Sequence, residues 1–223
     1  ITRFLRNPSV SIEEMVAVAA ERTRSRVAGR HVLAIQDTTT VRAVAQGRCV
    51  ALHPVIAVDA DAGTLLGLLD AQLLAREGGR RGGRKDRAFA HKESRRWLDG
   101  AERASGIAAP DAACVTMVAD REGDIYEDFA CKPRDIEVLI RAGQDRKLVD
   151  GSPLFAKAGT LAEAGRTTVD LPAAPGRRAR SAMLSLRFCT VQIARPISRK
   201  RNKEWAALPE SVTLSLVDAS EID

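Results

Sequence analysis

Apolar and polar positions along the chain change period several times, and each change marks an element. Residues Ile12–Val27 (IEEMVAVAAERTRSRV) put Ile12, Met15, Val16, Ala19 and Ala20 on one face at helical spacing. Ser11 followed by Glu14 has the S-x-x-E form of a capping box, and Gly29 supplies the stop. Residues 31–37 (HVLAIQD) form a short apolar run that ends on an acid followed by three threonines, as a buried strand with a polar C-terminal end does. Residues 50–60 and 64–74, joined through Ala62-Gly63, predict a β-hairpin. Residues 88–105 return to helical spacing, with Phe89, Trp97, Leu98 and Ala101 as the apolar set. Cys114–Ala119 (CVTMVA) is a second fully apolar run, and it too stops at an aspartate, Asp120. Residues 125–131 predict a short helix and 136–140 a further strand. Three strands, a helix, a strand, a helix and a strand make an α/β fold with a mixed sheet.

Beyond Gly143 the texture changes. Pro172, Pro175 and Gly176 interrupt Arg-rich stretches, and residues 183–193 and 211–217 alternate as antiparallel strands. The expected organisation is a helical lead-in over 1–30, an α/β core over 31–142 and a β-rich, basic appendage over 143–223.

Composition narrows the class. Hydrophobic residues make up 45% and charged residues 29%, as in a soluble globular protein, and only 4% are aromatic, so the core is aliphatic. No run approaches the roughly 18 apolar residues of a membrane span, and the first residues carry no export signal. Cys49, Cys114, Cys131 and Cys189 form no CxxC pair, which predicts buried thiols in a reducing cytoplasm. The net charge of +6 is unevenly spread. Nine Lys/Arg face three acids between Arg76 and Arg96, and nine face none between Leu171 and Lys203. Two such blocks favour contact with a phosphate backbone over a merely solvated surface. The DNA-contact candidates are Arg80, Arg81, Arg84, Lys85, Arg177, Arg178, Arg180, Arg199, Lys200 and Arg201, with Arg121 and Arg141 able to reach a phosphate or to form surface ion pairs.

Asp37 and Asp120 carry the candidate chemistry. A buried strand presents its first polar residue at the sheet edge, where open α/β sheets bind ligands. Carboxylates on neighbouring strand ends repel, and one takes up a proton unless a cation intervenes. Hard oxygen ligands suit Mg²⁺ or Mn²⁺, and a pair of such ions stabilises both the attacking and leaving oxygens of phosphoryl transfer. The structural alternative is that Asp37 caps a turn through Thr39 and Asp120 caps the helix that follows it. Glu122 and Asp124 read as surface or helix-start residues favoured by the helix dipole. His53 reads as a satisfied core or rim histidine, His91 as solvated, and Trp97 and Trp205 as packing residues.

Asp37-Thr38-Thr39, the stretch Asp120-Arg121-Glu122-Gly123-Asp124-Ile125, and Lys92-Glu93-Ser94 with Trp97 together resemble the DDE transposases of bacterial insertion sequences. The resemblance is to the branch with a Y-R-E-K signature, and it includes the Phe4-Leu5-Arg6-Asn7-Pro8 segment. It implies an RNase H-like core interrupted by a β-rich insertion. It also implies cut-and-paste cleavage and strand transfer on double-stranded transposon ends, by a bacterial, nucleoid-associated enzyme that is a homodimer on DNA. Asp37 matches the first metal-binding aspartate and Asp120 the second. The family's third ligand, a glutamate within Y-x-x-R-x-x-x-E, has no counterpart here, since Tyr126 is the only tyrosine and lacks the matching arginine. The chain is therefore expected to be an excerpt or truncated copy, with a non-catalytic DNA-binding module or an inactive remnant as the alternatives.

Overall fold

The computed structural model describes residues 7, 10–42, 49–76, 94–197 and 203–222, which form two compact units divided between Gly143 and Gln144. The first unit contains α1 (Ile12–Val27), β1 (His31–Gln36), β2 (Thr39–Arg42), β3 (Cys49–Asp59), β4 (Leu65–Arg76), α2 (Arg95–Ala108), β5 (Cys114–Ala119), α3 (Tyr126–Cys131) and β6 (Glu137–Ile140). Its six strands make one mixed sheet in the order β2-β3-β1-β5-β6, with β4 on the far side of β3. β1 runs antiparallel to β3 and parallel to β5, and β5 runs parallel to β6. The fold is thus mixed α/β, with a mixed sheet flanked by helices.

Helix α1 begins where Ser11 accepts the Glu14 N–H at 3.0 Å, and it carries Glu13 and Glu14 in its first turn and Arg24 and Arg26 in its last. This arrangement opposes charge to the helix dipole at both ends. Gly29, at φ 68, ends the helix in a conformation that favours glycine. The face predicted for α1 is buried only in its C-terminal half. Ala20, Thr23 and Val27 are covered, whereas Ile12 and Met15 remain exposed, because packing against β4 starts later in the helix.

The central strands bury one face rather than two. In β1 Val32, Ala34 and Gln36 are buried while His31, Leu33 and Ile35 are half-buried, and β5 repeats the alternation with Val115, Met117 and Ala119 inside. A fully apolar run is therefore no proof of two covered faces. The core lies between the sheet and α1 and α2. Val27, Val32, Ala34, Val55, Ala57, Leu66, Leu69, Ala101, Ala104, Ala108, Val115, Met117 and Ile136 form its buried cluster. As the low aromatic content suggests, the cluster is aliphatic.

One close approach holds α1 to the sheet. The Thr23 hydroxyl lies within hydrogen-bond distance of the Ala19 and Leu68 carbonyls, at 2.9 and 2.8 Å. The space it occupies exists only because residue 67 is glycine. A Cβ there would sit 2.2 Å from Thr23 Oγ1, and the backbone at φ 151 is itself one that side chains rarely adopt.

The second unit is a three-stranded antiparallel sheet, β7 (Gly165–Leu171), β8 (Arg180–Ala194) and β9 (Ser211–Ile222), with short helices α4 (Leu154–Gly159) and α5 (Lys203–Ala207). β7 is exposed along nearly its whole length, so it carries no apolar alternation by which the sequence could announce it. Cys114 and Cys131 are exposed and Cys189 half-buried, all as free thiols, which corrects the expectation of buried cysteines. Among the described residues no helix is long and apolar enough to cross a membrane.

The Thr23–Gly67 contact gives a direct stability test. Gly67→Ala combines backbone strain with a steric clash and should cost about 2–4 kcal/mol. Urea unfolding should show a lower midpoint with an unchanged slope; a midpoint equal to that of the parent chain would remove the contact from the account.

Candidate functional site

The parallel register of β1 and β5 pairs Gln36 with Ala119. Asp37 and Asp120 are the next residues on each strand, so both leave the sheet at the same edge, on strands about 4.8 Å apart. Both are exposed. Asp37 Oδ1 accepts the Thr38 N–H at 2.6 Å, and Asp120 Oδ1 accepts the Glu122 N–H at 2.8 Å. Asp120 thereby caps a 3₁₀ turn over Arg121–Gly123 rather than an α-helix over 122–131, and Asp37 caps through Thr38 rather than Thr39. In each carboxylate the second oxygen has no hydrogen-bond partner among the described residues. If a divalent cation bound at this sheet edge, these two oxygens are the ones that could hold it. Among the described residues they are not joined by a third His, Cys, Asp or Glu in a metal-binding group.

Beneath this edge lies a buried polar chain. Arg96 Nε donates to Thr38 Oγ1 at 3.0 Å; Thr38 Oγ1 lies 2.8 Å from His53 Nδ1, and His53 Nε2 lies 3.1 Å from Gln36 Oε1. Gln36 Oε1 only accepts, so the neutral His53 ring carries its hydrogen on Nε2 and accepts the Thr38 hydroxyl hydrogen at Nδ1, while Thr38 Oγ1 accepts from Arg96. This assigns the ring's neutral tautomer. His53 is fully buried, with Trp97 edge-on at 4.7 Å between centroids. Burial, then the nearby Arg96 charge, pushes its pKa down to about 4, against a smaller opposing pull from the Asp37 main chain. His53 is accordingly a satisfied core residue, and Trp97 a packing residue at 1% exposure.

Arg96 Nη2 also donates to Glu122 Oε2 at 3.1 Å, and its guanidinium lies 5.4 Å from the Trp97 ring centroid. Glu122 is a surface residue, but Asp124 is not: it is buried, and its Oδ2 accepts the Gly143 N–H at 2.7 Å. Its role is to tie the turn after β5 to the end of the segment after β6. Two glycines allow the crowding. A Cβ at Gly100 would meet Gln36 Oε1 at 2.6 Å, and one at Gly123 would meet Ala119 Cβ at 2.7 Å and Trp97 Cε3 at 3.2 Å.

Of the basic candidates, Arg121 and Arg141 are exposed and flank the sheet edge in sequence, and the Arg141 N–H donates to the Ala119 carbonyl. Arg177, Arg178 and Arg180 belong to the β7–β8 connection and the start of β8. Arg177 donates to the Pro172 carbonyl at 3.3 Å, and Arg180 pairs with Glu221. Arg80, Arg81, Arg84, Lys85, Arg199, Lys200 and Arg201 lie outside the described residues, as does His91. Arg96 is the residue beside the candidate site that sequence reasoning missed. In the sequence it is one of nine cations in a basic block, and no spacing sets it apart.

Asp128, on α3, is buried at 6% exposure, and its Oδ1 has no hydrogen-bond partner among the described residues. Burial, followed by the adjacent Glu127, raises its pKa from 3.8 to about 8 despite the nearby Arg95 and Arg96. Searches of the chain against models of known families and against curated proteins gave no match.

Two titrations check this electrostatic picture. Between about pH 4 and 8 the unfolded chain has lost the Asp128 proton while the folded chain keeps it, so this group lowers stability progressively as pH rises through that window. Asp128→Asn should remove the penalty, with a gain that grows from pH 4 to 8 and reaches the order of a few kcal/mol. A gain independent of pH would refute the assignment. For His53, nitrogen NMR should show a neutral ring protonated on Nε2 from pH 8 down to 5, and a midpoint near 6.5 would contradict the buried chain.

Proposed function

We propose that this chain is the core of a DNA transposase with an RNase H-like fold, in which Asp37 and Asp120 hold catalytic Mg²⁺ or Mn²⁺ ions. One observation carries the reading: two aspartates 83 positions apart in sequence follow paired residues of adjacent parallel strands. The RNase H-like assignment is supported by the antiparallel set β4-β3-β1 continued by the parallel strands β5 and β6, with β1 in a central position. The separate β-rich unit after Gly143 is in keeping with the insertion that the resemblance to the DDE family implies.

The residues of the chain have separate tasks in this scheme. Asp37, at the end of the central strand, is the better candidate to bridge two ions. Asp120 supplies the second carboxylate. Each is oriented by a backbone N–H on one oxygen, so the other oxygen is presented to a ligand. Bound there, the ions would activate the attacking oxygen and stabilise the leaving one in cleavage and strand transfer on a DNA phosphodiester. The third carboxylate of such a site has to come from outside the residues described. Arg121 and Arg141, with the basic candidates of residues 78–87 and of the second unit, would hold the phosphate backbone of duplex DNA at the transposon ends, on which the family resemblance implies a homodimer.

Mn²⁺ titration of the chain, followed calorimetrically, tests this. Asp37→Ala and Asp120→Ala should each weaken binding at least tenfold, while thermal unfolding stays cooperative. Duplex DNA affinity should fall with salt at a log–log slope near −0.9 per phosphate contacted. Unchanged Mn²⁺ binding in both variants, alongside salt-dependent DNA binding, would replace the catalytic reading with that of a DNA-binding module.

A further inference from the structure

We propose that Arg96 is a positioning residue that sets Asp37 and Asp120 relative to one another before any metal arrives. What those carboxylates hold rests on the transposase reading, but the positioning itself rests on contacts alone.

The β1–β5 ladder ends at Gln36 and Ala119. Past that point the two aspartates belong to different segments, Asp37-Thr38 on one side and the Arg121–Gly123 turn on the other. Among its contacts, the Arg96 guanidinium donates to the side chains of Thr38 and Glu122. These are also the two residues whose backbone N–H groups hold Asp37 Oδ1 and Asp120 Oδ1. One guanidinium therefore spans the gap and acts on both carboxylates through one intermediate each.

The surroundings make Arg96 a rigid spacer. Its side chain is 10% exposed and lies over Trp97. Trp97 in turn is wedged between His53 on β3 and the Gly123 turn after β5, where a Cβ would approach its ring to 3.2 Å. Glu122 is 62% exposed, so its ion pair adds little stability of its own. Its value is geometric. A planar fork can direct two N–H groups along fixed, separate lines to Thr38 and Glu122; an ammonium is a point charge on a flexible stem and cannot.

The test uses Arg96→Gln, Arg96→Lys and Glu122→Gln, each checked by thermal unfolding, with Mn²⁺ as the probe. Fast amide exchange by NMR should accelerate about tenfold or more at residues 38 and 122 in Arg96→Gln, with the amides of β1 and β5 unchanged. The Mn²⁺ dissociation constant should rise about tenfold or more, the size expected for loss of a group that orients metal ligands. Arg96→Lys should resemble Arg96→Gln, since it keeps the charge but not the fork. Glu122→Gln, which alters only an exposed end, should accelerate exchange at residue 122 and keeps the test valid if the Arg96 variants fail to fold. Unchanged exchange at both amides, full rescue by lysine, or tighter Mn²⁺ binding in Arg96→Gln would each overturn the proposal. Should the parent chain bind Mn²⁺ independently of Asp37 and Asp120, the metal site falls, and the exchange measurements still decide the role of Arg96.

Discussion

Six consecutive residue pairs, from His31 with Cys114 to Gln36 with Ala119, join β1 to β5 in parallel and decide that Asp37 and Asp120 leave the sheet at one edge. Side chains alternate along a strand, so a register slip of one residue would turn Val115, Met117 and Ala119 out of the core and move Asp120 away from Asp37. The helices α1 and α2 hold the register by burying that one face. On the other face, His31 Nε2 lies 2.9 Å from Thr116 Oγ1, a polar cross-strand contact between the same two strands. Packing and site geometry are therefore enforced by the same pairing.

Polar groups beneath the sheet edge meet burial in three ways. His53 stays neutral and uses both ring nitrogens. Asp124 accepts a backbone N–H and joins two segments that are distant in sequence. Asp128 has an oxygen without a partner among the described residues and holds its proton to about pH 8. A fully partnered group stiffens its surroundings, whereas an unpartnered one costs stability. The partnered groups lie near Asp37 and Asp120, and the unpartnered one is on α3.

Glycine has a specific part in this economy of space. Gly67 admits Thr23, Gly100 admits the Gln36 amide, and Gly123 lets the turn after Asp120 rest on Trp97. The last two sit on either side of the same buried chain. Substituting either would displace a side chain or turn adjoining a metal-ligand candidate.

Much of the fold was legible because its elements are local. The Ser11 cap, the helix it starts, the β3–β4 hairpin and the apolar run Cys114–Ala119 each follow from spacing within a few residues. β7 was not legible, since an exposed strand has no reason to alternate. The extent of burial in α1 and β1 was not legible either, because it depends on what packs against them. For the candidate site, the sequence determined that two strands end in aspartates and that cations gather in two blocks. Only the tertiary structure decided that those strands are neighbours in parallel register, and that Arg96 reaches Thr38 and Glu122 at once. Strand ends are local features of a chain, whereas adjacency across 83 residues is set by which faces the helices bury.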